Sequence, residues 1–426
     1  MARDLNVRAG RPHARAMRAK TACEFDLAVI GEPQEPQMPI ENWTARYLDE
    51  LKEFRHDLHR NPELLYDVHR TAQRVAARLR EAGVDEVHEG IGGTGVVGII
   101  YGQSRSSGRM IGLRADMDAL PILEATGAEW ASQVPGKMHA CGHDGHTTML
   151  LGAALGLVES RAFDGGVALI FQPAEEGGAG AKAMLDDGLL QRFPIQEFYG
   201  MHNRPGLPLG TFATGPGPQM GSVDEIIISI EGRGGHAAQP HATVDPVVVA
   251  AALIQATQAI VARNLDPLQS AVISITQMTA GDAFNVIPQT VTLRGTVRTL
   301  DEPTRDMVEK RLRELTESIS AGFGAVGTLS YLRHYPVMSN SEVGVDRAVA
   351  AAGEVAGAAH VDAAMVPTLG GEDFAFMLNE RPGAMIMIGN GDSAPLHHPR
   401  FDFNDDVIPW GCSYWTALVR QRMPLV

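Results

Sequence analysis

The sequence predicts an α/β protein: a mixed-sheet domain interrupted by a smaller, inserted, ferredoxin-like α+β domain. Three observations carry this. Short apolar runs alternate with helical periodicity up to about residue 201, the pattern of a parallel or mixed sheet with helices on its faces. Between residues 222 and 332 the order becomes strand–helix–strand–strand–helix–strand, that of a split βαβ unit. The 426 residues also exceed the length at which a single core usually stops growing. The expected division is a tail over 1–40, a larger domain from 41–221 and 333–426, and an insert over 222–332.

Each element follows from local pattern. The first 20 residues set Arg3, Arg8, Arg11, Arg15, Arg18 and Lys20 against Asp4, with no apolar core for a secretory signal; of a mitochondrial transit peptide, an upstream start and a disordered tail, the tail is the favoured expectation. Tyr47, Leu51, Phe54 and Leu58 recur at helical spacing, which predicts a helix over 42–59 ended by Asn61-Pro62. A second helix over 68–81 stops at Gly83. G-I-G-G-T-G at 90–95 has the letters of a dinucleotide loop, but a strand (96–101) follows where a helix should open. A glycine turn is expected there, which also counts against an oxidoreductase. Residues 110–114 read as a buried strand running into R-A-D-M-D-A-L-P, with Asp116 and Asp118 just past its end. A helix over 145–157, a strand over 166–171, a helix over 179–187 and a strand over 197–201 ending at His202 complete the alternation. Ligands bind outside the carboxyl ends of such strands, so Asp118, Glu175, Glu176 and His202 are expected to converge. In the insert, strands are expected over 223–230, 271–278, 290–297 and 327–333, with helices over 245–263 and 302–320. The larger domain then resumes with a helix over 343–356, G-G-E-D-F-A-F, a buried strand over 384–388, L-H-H-P and a C-terminal helix.

Composition narrows the partners. A formal net charge of -15 argues against nucleic acid or an anionic membrane surface. No apolar run is read as approaching the roughly 18 residues of a membrane-spanning helix. Cys23, Cys141 and Cys412 are too few and too scattered for a disulfide framework, which points to the cytoplasm.

The chemistry concentrates in M-H-A-C-G-H-D-G-H-T-T at 138–148. Imidazole and thiolate donors suit zinc, manganese, nickel or cobalt, although the same stretch could be a polar loop capping a helix. In Glu175-Glu176, one carboxylate can bind a metal while the other faces a water as general base; an acidic start to the next helix is the plainer reading. His202 and His397-His398 are weak signals alone. Together Cys141, His143, Glu176, His202 and His397 make a five-donor set suited to two metal ions. No G-x-S-x-G elbow supports a serine hydrolase.

These segments, with F-R-H-D-L-H-R-N-P-E-L, F-Q-P-A-E-E-G-G-A-G-A, G-M-H, G-G-H-A-A-Q-P-H, N-V-I-P and L-H-H-P-R-F-D-F-N-D, resemble the dinuclear-metal aminoacylase and carboxypeptidase superfamily. The resemblance is to the branch holding hippurate hydrolases and plant auxin-conjugate hydrolases, and it runs from about residue 54 to 415. It implies a metallohydrolase whose insert serves as lid and dimerisation domain of a homodimer. The implied ligands are Cys141, His143, Glu176, His202 and His397, holding two divalent ions per subunit, manganese first, with zinc, cobalt or nickel as alternatives. Glu175 is the implied general base and Asp118 the supporting aspartate, while His236 would reach the partner subunit's active site. Asn285 and Arg298 match positions that bind a substrate carboxylate, and Gly370 and Gly371 would let the backbone approach the substrate. The implied reaction is cleavage of N-acyl amino acids by a water activated at the two metals; a dipeptidase, a carboxypeptidase or an N-acetyl-diamino-acid deacetylase would use the same site. Two departures stand out. Relatives often have L-H-N-P where this chain has L-H-H-P, so His398 competes with His397 as ligand. The wider superfamily has Asp where this chain has Cys141, which favours the amidohydrolase branch.

Overall fold

The computed structural model describes residues 42–425; the expected N-terminal tail lies outside them. The first helix, α1 (Asn42–Arg60), buries Leu51, Phe54 and Leu58 along one stripe. α2 (His69–Glu81) buries Ala72, Val75, Ala76 and Leu79. β1 (Glu86–Ile91) and β2 (Gly95–Tyr101) form an antiparallel hairpin, so the glycine run is its turn. Gly92 there has φ 64° and lies against the backbone of Met184, where a Cβ would come within 2.7 Å. Close packing explains these glycines.

The chain continues through β3 (Met110–Asp116), α3 (His143–Ser160), β4 (Gly166–Gln172), α4 (Gly180–Asp186), α5 (Leu189–Arg192), β5 (Glu197–Arg204), β6 (Phe212–Ala213) and β7 (Gly217–Met220). The insert comprises β8 (Val223–Glu231), β9 (Gly235–His236), α6 (Pro246–Ala259), β10 (Ala271–Ala280), β11 (Val286–Ile287), β12 (Thr290–Thr299), α7 (Glu302–Gly322) and β13 (Val326–Tyr335). Then follow β14 (Met338–Asn340), α8 (Glu342–Ala356), β15 (Val361–Asp362), α9 (Ala375–Glu380), β16 (Gly383–Gly389) and α10 (Ile408–Arg422).

The main sheet has the order β1-β2-β4-β3-β5-β16-β6-β15. Its central strands β4, β3, β5 and β16 run parallel, so their carboxyl ends share one edge. Strands covered on both faces are predominantly apolar, and every residue of β3, β4 and β16 is buried, including the polar Arg114, Asp116 and Gln172. Met149, Leu150, Trp410 and Trp415 of α3 and α10 join the core on one side. Met184, Leu189, Phe374 and Met377 fill a second cluster.

The insert forms its own sheet, β10-β12-β8-β13, antiparallel throughout and in the strand order of a ferredoxin-like unit. Ile226, Ile228 and Ile230 alternate along β8 and pack with Val249, Leu253, Val308 and Leu312 of α6 and α7.

Three expectations are corrected. The stretch Pro246–Asn264 is long and apolar enough to cross a membrane by length and composition. Gln255, Thr257 and Gln258 interrupt the run, and the helix buries Val249, Ala250 and Leu253 against the insert's sheet. His202 lies inside β5, which pairs with β16 as far as Arg204, and Asp116 is the last residue of β3. α3 begins at His143, two residues earlier than its apolar periodicity indicates, because Gly142 turns the chain at φ 93°.

Candidate metal centre

The site grows from the shared carboxyl edge. At Gly142 a Cβ would lie 2.4 Å from Asn203 Oδ1, so the turn into α3 passes tightly over β5. That turn places Cys141 Sγ 3.4 Å from His202 Nε2. The His202 Nδ1 faces the Asn203 carbonyl oxygen at 2.7 Å, which assigns its proton to Nδ1 and leaves the Nε2 lone pair toward Cys141. His143 is fully buried with neither ring nitrogen hydrogen-bonded. Its neighbours are Asp118 Oδ1 at 3.5 Å, Asp116 Oδ2 at 3.6 Å and Glu176 Oε1 at 4.0 Å. Glu176 Oε1 is also buried without a hydrogen-bond partner and lies 3.3 Å from His397 Nε2.

Of five donor triads among the described residues whose ligand atoms lie within 4.8 Å of one another, two are made wholly of the expected ligands: Cys141, His143 and His202, and Cys141, Glu176 and His397. Cys141 belongs to both. Orphaned imidazole nitrogens and a carboxylate oxygen at the centre of such triads fit divalent metal ions, since leaving buried polar atoms unpaired is costly. Burial pushes the Cys141 thiol up, and a bound cation reverses that, because coordinating thiols are deprotonated.

His397 sits at φ 64°, left-handed for a residue with a Cβ, and its N–H donates to the Ala140 carbonyl at 2.8 Å. The strained turn brings His397 to the triad, whereas the exposed His398 accepts the Arg400 N–H on its Nδ1.

Glu175 follows β4 and is buried. Asp118 holds its loop: Oδ1 accepts the Glu175 N–H at 2.9 Å and Oδ2 the Glu176 N–H at 3.1 Å. Burial, then Glu372, Glu176 and Asp373, hold the Glu175 carboxyl well above the usual carboxylate range. Sequence reasoning missed Glu372 and Asp373 as site neighbours. Both surround the buried Arg114 guanidinium, which also pairs with Asp116 at 2.8 Å. It also missed the link from Asp116 Oδ1 to His146 Nδ1 at 2.6 Å, with His146 Nε2 2.7 Å from Asn203 Oδ1. The quoted R-A-D-M-D and G-G-E-D-F segments contain the acids, but their convergence on Arg114 is a tertiary fact.

A cavity of about 520 Å³ opens beside the triads, lined among others by Glu175, Arg204, Tyr335 and Gly371. A Cβ on Gly371 would fall 2.1 Å from Val223 Cγ2, so only glycine fits there. His236, Asn285 and Arg298 do not line this cavity. His236 on β9 and Asn285 just before β11 are neighbours, since the Ala237 N–H donates to the Asn285 carbonyl at 3.0 Å, and both are exposed. Arg298 on β12 donates to Thr296 Oγ1 and to the Val297 carbonyl.

Paired ligand triads on the carboxyl edge of a mixed sheet, with a buried carboxyl beside them, define a dinuclear-metal hydrolase. The chain belongs to peptidase family M20/M25/M40, whose model matches residues 112–421. It is 41% identical over 369 residues to the hippurate hydrolase of Campylobacter jejuni, covering 87% of this chain and 95% of that one. It is 39% identical to an N-acetylcysteine deacetylase of Bacillus subtilis, covering 86% and 95%. Among solved structures, a dinuclear metal-binding M20 peptidase of Bacillus subtilis superimposes with a TM-score of 0.78 at 34% identity, covering 88% of this chain and 98% of that one. The protein is therefore a metal-dependent amide hydrolase whose donor groups suit two divalent ions.

Proposed function

We propose that the protein hydrolyses N-acyl amino acids of the hippurate kind to a carboxylic acid and an amino acid. The observation that carries this reading is the buried Glu175 carboxyl beside two triads, in a cavity whose other wall is apolar: Met220, Val223, Met365, Met387 and Leu396. Such a wall suits an aryl or alkyl acyl group. The hippurate hydrolase and N-acetylcysteine deacetylase relatives support cleavage of a single acyl–nitrogen bond, with the deacetylase favouring small acyl groups as the second reading.

Two divalent ions, held by Cys141, His143 and His202 and by Cys141, Glu176 and His397, would supply the positive charge that acidifies a water and polarises the amide carbonyl. Glu175 takes the proton of the attacking water. The neighbouring carboxylates are otherwise engaged: Glu176 faces His397, and Glu372 pairs with Arg114 at 3.0 Å. Glu175 then passes that proton to the leaving nitrogen, which departs as an amine. Asp118 holds the Glu175 backbone during both transfers. Manganese is the first candidate ion. Homodimerisation through the insert, which would bring His236 to a partner's cavity, is supported by the exposed Val272, Met278 and Phe284 on and beside β10, an edge strand. The free thiols Cys141 and Cys412 fit a reducing cytoplasm.

The test is amine release from hippurate, other N-acyl amino acids and dipeptides after chelation and resupply of manganese, zinc, cobalt or nickel. Metal-restored cleavage of N-acyl amino acids is expected. Restored cleavage of dipeptides alone would move the assignment to a peptidase.

A further inference from the structure

The buried arginines among the described residues are paired. Arg114 meets Asp116, Glu372 and Asp373, and Arg305 meets Asp224 at 3.0 Å through Nε. Arg204 differs. It is the only lysine or arginine among the described residues lining the metal cavity, and it is half-buried. The side-chain bond it makes runs from Nη1 to the Met365 Sδ at 3.0 Å, with no carboxylate within ion-pair distance among the described residues. A thioether is a weak acceptor, and a guanidinium offers five N–H donors in a fork that matches a carboxylate.

Position gives the fork a purpose. Arg204 ends β5, two residues beyond His202 and so on the same face of the strand. Met220, Met365 and Met387 line the same cavity, so a ligand reaching the guanidinium has apolar walls for its stem. Arg298, the position the family resemblance implies for a substrate carboxylate, is engaged with Thr296 and Val297 and lies off this cavity. We infer that Arg204 anchors a carboxylate of the substrate inside the cavity of its own chain, and thereby selects acidic amides over neutral ones. The inference rests on the amide-hydrolase reading above. The carboxylate can sit on the leaving amino acid or at the far end of the acyl chain.

Two substrate pairs separate these sources. N-benzoylglycine against N-benzoylglycinamide removes the carboxylate on the leaving side. N-glutarylglycinamide against N-pentanoylglycinamide removes it on the acyl side. The metal-loaded wild type, Arg204→Gln and Arg204→Lys are compared by the acid-to-neutral ratio of kcat/KM, with KM and kcat read separately. A charge-assisted fork predicts that R204Q lowers the ratio about 30-fold in one pair, through KM, and that R204K recovers part of it. The pair that responds identifies which end Arg204 holds. Because a ratio within one variant is read, a general loss of activity does not mimic the effect. Turnover with both ratios unchanged in R204Q overturns the role of Arg204 and leaves the amide-hydrolase reading standing. No turnover of any of the four substrates by the wild type with any metal overturns both.

Discussion

The Tyr335 hydroxyl donates to the Glu175 carbonyl oxygen at 2.6 Å and accepts the N–H groups of Gly177 at 2.8 Å and Ala179 at 3.2 Å. Tyr335 is the last residue of β13, so one side chain joins the exit of the insert to the loop that carries the general base. That loop includes two alanines in the left-handed region, Ala174 at φ 54° and Ala179 at φ 55°, a conformation the surroundings must hold in place.

Tyr335→Phe removes the acceptor of two backbone N–H groups and the donor to a buried carbonyl. Groups left unpaired in this way cost about 1–3 kcal/mol of stability. Misplacement of Glu175 is expected to lower kcat by about tenfold with a smaller change in KM. Denaturant unfolding and steady-state kinetics check the two parts. Unchanged kcat in a destabilised variant would confine Tyr335 to a structural role.

Glu175→Gln keeps the shape of the side chain and removes its proton chemistry. The expected loss in kcat is about 10²–10⁴-fold, with metal content retained. Full turnover in this variant would falsify the general-base assignment.

Metal stoichiometry separates shared from individual ligands. Cys141 belongs to both triads, whereas His202 and His397 belong to one each. Cys141→Ala is expected to reduce both ions, and His202→Ala or His397→Ala to reduce one more than the other. Elemental analysis of the purified variants reads this directly. His398→Ala is expected to keep both ions, because that ring faces the Arg400 N–H.

Stability should depend on pH through His59 and Asp144, a buried pair 2.8 Å apart beneath the metal loop. Burial lowers the His59 pKa, but Asp144 and Glu124 together raise it and the net result is a rise to about 9. A raised histidine contributes stability that is complete below its unfolded value near 6.5 and is lost as pH rises through about 9. Burial likewise opposes ionisation of Asp144, yet His59 and then His139 and Arg55 hold it well below the usual range. Its contribution is present above about pH 4 and is lost on acidification. The wild type should therefore lose up to about 3 kcal/mol between pH 7 and 10 through His59. His59→Asn should be less stable at pH 7 and flatter across that range. Parallel melting curves from pH 7 to 10 for the two proteins would contradict this account.

Much of the fold was legible because local rules were strong. Apolar runs marked β16, most of β4 and the first half of β3, and period-two alternation marked β8. The short strands β6, β14 and β15 were not legible, since two or three residues carry no period and pairing alone creates them. The helix over residues 246–259 is legible as a helix, but its high overall apolarity is spread around interrupting Gln and Thr side chains and so forms no unbroken run.

The sequence by itself determined which donors exist and which strand ends present them: Cys141 and His143 before and at α3, Glu175 and Glu176 after β4, and His202 near the end of β5. Motif chemistry and strand topology are local properties, so they can be read along the chain. Only the tertiary structure decided that His397 and not His398 meets Glu176, that Tyr335 clamps the Glu175 loop, and that Arg204 stands in the cavity without a carboxylate. These are distances between residues far apart in the chain. Sheet order, one strained turn and the packing of side chains fix them, and no local propensity encodes a through-space distance.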